Sequence, residues 1–284
     1  MLFASPRGGS TWATGLIASQ PGFWPVSEPL NVRLPWVQQR LGLCTFGALY
    51  GQSADKYIRD YYENIFAGCY ADLKLRPGQR YYRPVTHRFV VKENQGCLDR
   101  IPWFEDTFNA NIVHLLRHPI PVALSREAFP LLADFQSCAL RERFTSEQLR
   151  LADTLIAHGS HLQRGVLAWC LHHVPALEDR RATWVQLTYE ETLLQPVAVI
   201  KELAEKLHLP DTDRMLKQIS KPSLVTRKSD PATRALLKHG ADPQTLISKW
   251  LPRVSLDEQA SVEGILKTFG VTLYSAYHPE PQYL

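Results

Sequence analysis

LFASPRGGSTWATGLI, at residues 2–17, runs from an apolar segment through a glycine turn into a helical pattern. Residues 2–4 predict a short buried strand, and residues 5–9 contain the Ser, Pro and Gly that end it. A helix is then predicted from Ser10 onwards. Its buried side is expected to include Trp12, Leu16 and Ile17. The segment therefore predicts a strand, a turn and a helix in immediate succession.

The turn has the chemistry of an anion-binding site. Gly8 and Gly9 allow the backbone to bend sharply and to bring its N–H groups close to a ligand. The helix start behind them adds unpaired donors and a partial positive charge. Arg7 supplies a rigid fork of donors, while Ser10 and Thr11 supply hydroxyl groups. These features predict a phosphate site, with an ordinary strand–helix turn as the alternative.

The turn departs from the Walker pattern of nucleoside triphosphate sites at one position. That pattern places a Lys before the final Ser or Thr, where it reaches the outer phosphates, and a hydroxyl on Mg²⁺. Gly9 stands at that position here, and the cation of the turn is Arg7. The sequence therefore disfavours a triphosphate–Mg²⁺ site.

Length and composition favour one large domain. The chain has 284 residues, of which 45% are hydrophobic, and this length lies near the limit for a single core. We expect a single domain over residues 1–284, with helical insertions at about 44–82 and 128–178. The net charge of +4 suits a small anionic ligand, and no Lys/Arg run typical of nucleic-acid-binding proteins is present.

The cysteines, the paired histidines and the apolar runs bear on the cellular compartment of the protein and on metal and membrane binding. Five cysteines lie far apart with no C-x-x-C pair, which favours reduced thiols over a zinc site. His172 and His173 are adjacent, so they cannot share a helix face and are expected to be structural or surface groups. No apolar run approaches the ~18 residues of a membrane span, and no signal-peptide pattern is present. We expect a cytoplasmic protein that binds no metal, nucleic acid or membrane.

The rest of the chain alternates predicted strands with predicted helices. Strands are predicted at 88–93, 111–116 and 183–187, and helices at 53–70, 98–108, 119–126, 148–177, 196–207, 244–250 and 257–269. Prolines predict a loop over residues 21–35, and residues 210–243 are polar and loop-rich. Ser53 is the expected N-cap of its helix. This alternation predicts an α/β protein with a P-loop-like, mostly parallel sheet and helices on both faces.

Each predicted strand ends in a group that can bind an anion. Arg7 and Ser10 follow the first strand, and the later strands end at Lys92, Arg117 and Tyr189. Ligands of parallel sheets bind outside the carboxyl ends of the strands, so these groups are expected to meet at one site. The ligand they suggest is multiply anionic, with two separated charged ends.

These segments together resemble the sulfotransferases that use 3′-phosphoadenosine 5′-phosphosulfate (PAPS). SPRGGSTW at 5–12 is similar to the 5′-phosphosulfate loop of that family, and LLRHPIPVALS at 115–125 is similar to its 3′-phosphate motif. LTYEETLLQP at 187–196 and SKW at 248–250 resemble two later elements. The four segments span nearly the whole chain in the order that the family shows.

The closest likeness is to the tyrosylprotein and bacterial branch. Glu28 stands 21 residues after Arg7, which is the spacing of the proposed base in that branch. Lys92 matches the lysine of its Lys-Asp-Pro motif, although Glu93 and Asn94 replace Asp-Pro. The steroid and phenol branch carries a His at the position of Asn94, so a His base of that kind is absent here.

The resemblance implies PAPS as co-substrate and 3′-phosphoadenosine 5′-phosphate (PAP) as product, with no metal required. Glu28 would be the base, and Lys92 with Arg7 would stabilise charge on the leaving oxygen. Arg117 and Ser125, eight residues apart, would hold the 3′-phosphate. The further nucleotide contacts that the resemblance implies are Arg7, Gly8, Gly9, Ser10, Thr11, Trp12, Tyr189, Ser229 and Lys249.

The acceptor is expected to be a hydroxyl or amine of a small, natural-product-like molecule, with a peptide tyrosine as the alternative. Two other classes compete: a P-loop nucleotide or small-molecule kinase, and a non-catalytic nucleotide-binding scaffold. His87 is the alternative base. A monomer or a homodimer is expected.

Overall fold

The core of the protein is a parallel sheet, seen in a computed structural model that describes residues 1–70, 86–94, 96–219 and 242–282. Its strands are β1 (Leu2–Ala4), β2 (Phe23–Ser27), β3 (Arg88–Glu93), β4 (Val113–Leu116) and β5 (Val185–Thr188). They lie in the order β2-β3-β1-β4-β5, and each neighbouring pair is parallel. All the carboxyl ends therefore lie at one edge of the sheet.

Helices cover both faces of this sheet. In the described ranges they are α1 (Ser10–Ala18), α2 (Pro35–Leu41), α3 (Asp55–Phe66), α4 (Ile101–Phe108), α5 (Pro119–Leu124), α6 (Pro130–Asp134), α7 (Ser146–His158), α8 (His161–Glu178), α9 (Tyr189–Leu194), α10 (Pro196–Lys206), α11 (Thr212–Ile219), α12 (Pro243–Ser248) and α13 (Leu256–Thr268). One core cluster includes α1, α10 and α11, and the other includes α3, α4, α5, α8 and α13. The predicted α/β class, with helices on both faces of a parallel sheet, is confirmed. None of these helices is long and apolar enough to cross a bilayer.

Side chains alternate between the two core clusters along each strand. In β1, Leu2 and Ala4 belong to the cluster on the α1 face, whereas Phe3 belongs to the other. On β4, His114 faces α8, where its Nε2 lies 2.9 Å from Nδ1 of His173. Burial lowers the pKa of His114 to about 3, so this pair is a neutral part of the core.

Strand β2 differs from the sequence-based prediction, which assigned residues 21–35 to a loop. Pro25 lies in the middle of this strand. A proline is tolerated there because β2 is at the edge of the sheet, where one row of N–H groups has no partner strand. Ser27 pairs with Lys92, which brings the next residue, Glu28, to the carboxyl edge of the sheet.

Three expectations about helices are wrong in detail. The helix predicted at 148–177 is two helices, because Ser160 starts a new capping box between α7 and α8. Ser53 is not an N-cap: it lies in a 3₁₀ turn, and α3 begins at Asp55 without a side-chain cap. Residues 212–219 of the region 210–243, which was predicted to be loop-rich, form α11, and residues 220–241 lie outside the described residues.

Candidate active site

The turn after β1 forms a tight backbone cradle. Arg7 and Gly9 have positive φ angles of 69° and 92°, and the Gly8 N–H donates to the Ser5 carbonyl over 3.0 Å. A Cβ atom at Gly8 would lie 2.9 Å from that carbonyl oxygen, so the bend leaves no room for a side chain. Gly9 caps α1 without a side-chain hydrogen bond. The first N–H groups of α1 are therefore not occupied by a capping side chain and can bind an anion.

Tyr189, the first residue of α9, closes one side of the cradle. A Cβ atom at Gly9 would lie 2.8 Å from Tyr189 Cδ2, and the positive φ of Gly9 strains any other residue. A Walker lysine therefore does not fit at this position unless the tyrosine ring moves, which disfavours the kinase alternative. Trp12, expected on the buried side of α1, is half-buried and packs edge-on against the Tyr189 ring, with 6.5 Å between centroids.

Arg117, just after β4, contacts both the cradle and the Tyr189 ring. Its Nη1 donates to the Arg7 carbonyl over 2.9 Å, and its guanidinium carbon lies 4.1 Å from the Tyr189 ring centroid. The Arg117 carbonyl accepts a hydrogen bond from Trp169 Nε1 of α8 over 2.9 Å. Arg117 Nε is buried and has no hydrogen-bond partner among the described residues. A buried donor without a partner beside an anion cradle is suited to a bound anion.

Lys92 and Glu28 form an ion pair at the carboxyl ends of β3 and β2. Lys92 Nζ lies 2.9 Å from Glu28 Oε1 and donates to Thr11 Oγ1 over 3.2 Å. The Lys92 side chain is 6% exposed, whereas that of Glu28 is 25% exposed. Lys92 therefore joins the hydroxyl at the start of α1 to a carboxylate that solvent and small molecules can reach.

Two amide side chains hold the Glu28 carboxylate. Asn94 Nδ2 donates to Oε1 over 3.1 Å, and Asn31 Nδ2 donates to Oε2 over 3.4 Å. The Glu28 N–H donates to the Lys92 carbonyl over 2.7 Å, and its φ of 53° is uncommon for a residue other than glycine. Asn94, which stands where the steroid and phenol branch has its His, is thus a partner of the acid.

Glu93, which the sequence reasoning did not select, supports the loop that carries Glu28. Its Oε1 accepts hydrogen bonds from the Leu30 N–H over 3.2 Å and from the Tyr62 hydroxyl, and its Oε2 is buried without a partner. Burial raises the pKa of Glu93 to about 8, so most of it is protonated at pH 7. The available signal was an acid directly after Lys92, at the end of an apolar strand.

A second buried acid, Glu190, joins the Arg117 turn to the C-terminal part of the fold. It accepts hydrogen bonds from the His118 N–H and from the Tyr274 hydroxyl, each over 3.0 Å. Burial raises the pKa of Glu190. Trp250 stacks on the His118 ring with 4.6 Å between centroids. The segment 248–250 therefore contacts the Arg117 turn through its tryptophan.

The other residues predicted to contact the nucleotide differ from one another in burial and in their position in the fold. Ser10 is buried as the first residue of α1. Ser125 is exposed at the C-cap of α5, and its hydroxyl donates to a carbonyl of its own helix over 2.9 Å, with no hydrogen bond to Arg117 in the described structure. Lys249 is the half-buried C-cap of α12. Ser229 lies outside the described residues.

His87 is at the wrong edge of the sheet to be the base. Its N–H donates to the Gly22 carbonyl over 3.0 Å, and its ring fills the space beside Gly22. Gly22 precedes β2 and His87 precedes β3, so both lie at the amino ends of the strands. The cradle, Lys92 and Glu28 lie at the carboxyl ends, so the structure excludes His87.

The structure thus brings Lys92, Arg117 and Tyr189 into contact with residues 7–11. The Arg7 guanidinium itself makes no hydrogen bond or ion pair within the described ranges, and its donors are available to a ligand. In the same ranges, no three His, Cys, Asp or Glu side chains cluster as metal ligands do. The arrangement can bind a doubly anionic molecule and present one carboxylate to a second reactant.

The fold has relatives among solved structures. The sulfotransferase domain from the curacin biosynthetic pathway is similar with a TM-score of 0.50 and 15% sequence identity, over 95% of this chain and 96% of that chain. This chain has the sulfotransferase fold. A sulfotransferase domain from the Synechococcus PCC 7002 olefin synthase gives a TM-score of 0.47 and 18% identity, over 95% of this chain and 93% of that chain. No protein-family model matches this chain, and no curated protein matches its sequence.

Proposed function

We propose that this protein is a sulfotransferase that moves a sulfuryl group from PAPS to a hydroxyl or amine of a small molecule. The observation that carries the proposal is the Lys92 side chain, which links the cradle hydroxyl of Thr11 to the carboxylate of Glu28. The sulfotransferase fold supports it, and the similar domain from the curacin biosynthetic pathway favours a natural-product-like acceptor. The likeness to the tyrosylprotein branch stays a prediction.

The residues around the cradle fit a nucleotide that carries two separate anionic groups. The cradle at 7–11 offers backbone N–H groups, two hydroxyls and the Arg7 guanidinium to a phosphosulfate. Arg117 Nε, buried without a partner, offers a second cationic position to a 3′-phosphate. The rings of Trp12 and Tyr189 flank the cradle and provide surfaces on which a purine can stack.

The chain's own residues have distinct tasks in this reaction. The bound donor supplies an activated sulfuryl group, and its transfer resembles in-line phosphoryl transfer. Lys92 and Arg7 provide positive charge beside the cradle, where the leaving oxygen becomes negative. Glu28 accepts the acceptor's proton at Oε2, which has only the 3.4 Å hydrogen bond from Asn31, whereas Oε1 is bound by both Lys92 and Asn94.

The proposal is tested by supplying PAPS, and separately ATP with Mg²⁺, together with a mixture of small hydroxylated metabolites. We expect products that gain the mass of a sulfuryl group from PAPS and no product from ATP. Phosphorylated products from ATP alone would support a kinase instead. PAP binding measured by calorimetry, without sulfated product from any acceptor, would indicate a nucleotide-binding scaffold.

A further inference from the structure

The peptide group that joins Arg117 to His118 is held by two buried side chains. Its carbonyl oxygen accepts a hydrogen bond from Trp169 Nε1 over 2.9 Å, and its N–H donates to Glu190 Oε1 over 3.0 Å. Trp169 and Glu190 are both buried. Side chains therefore bond both polar groups of one peptide plane, at the point where the chain leaves β4 and before α5 begins.

The orientation of this peptide group affects the direction of the Arg117 side chain. A peptide group is planar, so fixing its C=O and its N–H restricts rotation about the backbone bonds on either side of it. The Arg117 side chain then extends to the turn after β1, where its Nη1 donates to the Arg7 carbonyl over 2.9 Å. The position of the guanidinium therefore depends on the two hydrogen bonds to the peptide group.

Glu190 is the part of this arrangement that connects to the guanidinium as well. It follows Tyr189 at the start of α9, and the Tyr189 ring centroid lies 4.1 Å from the guanidinium carbon of Arg117. The second carboxylate oxygen of Glu190, Oε2, accepts a hydrogen bond from the Tyr274 hydroxyl over 3.0 Å. The first turn of α9 thus contacts Arg117 at its side chain through Tyr189 and at its backbone through Glu190.

Helix α5 has its own N-cap and does not depend on Glu190 for one. The cap is the His118 side chain, whose Nδ1 accepts a hydrogen bond from the Ile120 N–H over 3.3 Å. The His118 Nε2 in turn donates to the Ser275 carbonyl over 3.0 Å. The bond from Glu190 falls on the N–H before the helix, in the peptide group that carries the Arg117 carbonyl. Its structural effect is therefore on Arg117.

We propose that Glu190 is a positioning residue of the nucleotide site, which holds the Arg117 guanidinium where the 3′-phosphate of PAP binds. This inference rests on the proposed sulfotransferase function. A guanidinium binds a phosphate through parallel hydrogen bonds in one plane, so a rotation of Arg117 weakens both bonds. Glu190 acts through its hydrogen bonds and not through its charge, because a negative charge beside the site repels a phosphate.

Binding of PAP and of adenosine 5′-phosphate, which lacks the 3′-phosphate, separates this role from a general structural one. Each nucleotide is titrated by calorimetry into the full chain of the parent and of Glu190→Ala. The parent should prefer PAP by at least about tenfold, whereas Glu190→Ala should bind the two nucleotides within about threefold of each other. The affinity for adenosine 5′-phosphate should stay within about twofold of the parent value, because the cradle at 7–11 is unchanged.

Further variants separate hydrogen-bond geometry from charge. Glu190→Gln keeps an oxygen that accepts from the His118 N–H, so it should keep the preference for PAP. Tyr274→Phe removes the hydroxyl that holds Glu190 Oε2 and should lower the preference by about threefold, the effect of one hydrogen bond. Glu191→Ala is the matched control on the same helix. Its side chain accepts a hydrogen bond from the Thr188 hydroxyl, and the variant should keep the preference.

Three results would overturn the inference. They are a parent-like preference for PAP in Glu190→Ala, an equal loss of affinity for both nucleotides in that variant, and a loss of the preference in Glu190→Gln. If Glu190→Ala does not fold, a parent-like preference in Tyr274→Phe overturns the inference instead. Failure of the proposed function is a different result, because PAP then does not bind the parent itself.

Discussion

Lys92 Nζ lies 2.9 Å from Glu28 Oε1, and the two residues stand at the carboxyl ends of neighbouring parallel strands. The pairing of β2 with β3 fixes this distance through the backbone, since the Glu28 N–H also donates to the Lys92 carbonyl. Lys92 reaches Thr11 at the same time. The pair therefore connects the candidate nucleotide cradle with the candidate acceptor position.

Glu28→Gln should lower turnover strongly and leave PAP affinity close to that of the parent. The amide keeps the size of the side chain and cannot accept the acceptor's proton. We expect kcat for the formation of the sulfated acceptor from PAPS to fall by about 10²–10⁴-fold, which is the usual contribution of a general base. Turnover equal to that of the parent would assign the base to another group.

Lys92→Met should lower kcat more than it lowers the affinity for PAP. The substitution keeps an unbranched apolar stem but removes the charge that the leaving oxygen meets. A loss of about 10²–10³-fold in kcat is expected, typical of one electrostatic group in a closed site. Lys92→Arg is the matched control for charge. A large loss of PAP affinity with unchanged kcat would show that Lys92 contributes to nucleotide binding and not to stabilising the leaving oxygen.

Gly9→Ala should weaken PAP binding by at least about tenfold, equivalent to ~1.4 kcal/mol. Its Cβ would meet the Tyr189 ring at 2.8 Å in a backbone conformation that only glycine adopts easily. Gly264→Ala is the control, because no atom lies within 4 Å of the added Cβ on α13. That variant should keep PAP affinity and gain about 0.5–1 kcal/mol of stability. Parent-like PAP binding by Gly9→Ala would show that the cradle has another shape.

Glu93→Gln should become more stable relative to the parent as the pH rises. The folded state raises the pKa of Glu93 from 4.5 to about 8, so between these values the folded protein holds a proton that the unfolded chain releases. The parent therefore loses stability through this window, and the glutamine variant lacks that loss. Urea unfolding of the parent and of Glu93→Gln at pH 5.5 and pH 8.5 measures the free energy of unfolding of each protein at each pH. If the unfolding free energies of the parent and of Glu93→Gln differ by the same amount at both pH values, the raised pKa of Glu93 is contradicted.

The elements that sequence predicts best here are those whose signal is local. The apolar residues 2–4 and the glycines after them specify β1 and the turn within one short segment. Lys92 and Arg117 were predicted at strand ends for the same reason, since each follows directly on a buried apolar run. The structure then places both against the turn.

The features that sequence did not predict depend on distant partners. Pro25 is compatible with a strand only because β2 is at the sheet edge, which no local pattern reveals. Glu93 bonds Leu30, and Glu190 bonds Tyr274, so their burial appears only after the chain has folded. Arg126 resembles any polar helix-end residue until its burial is seen.

The central claim is that the cradle and Arg117 bind the two ends of one doubly charged adenosine nucleotide. Calorimetry of the parent and of Arg117→Ala with PAP and with adenosine 5′-phosphate tests it most directly. The parent should bind PAP at least about tenfold more tightly than adenosine 5′-phosphate, and Arg117→Ala should bind both with similar, weak affinity. Equal affinity of the parent for the two nucleotides, or an unchanged PAP affinity in Arg117→Ala, would contradict the claim.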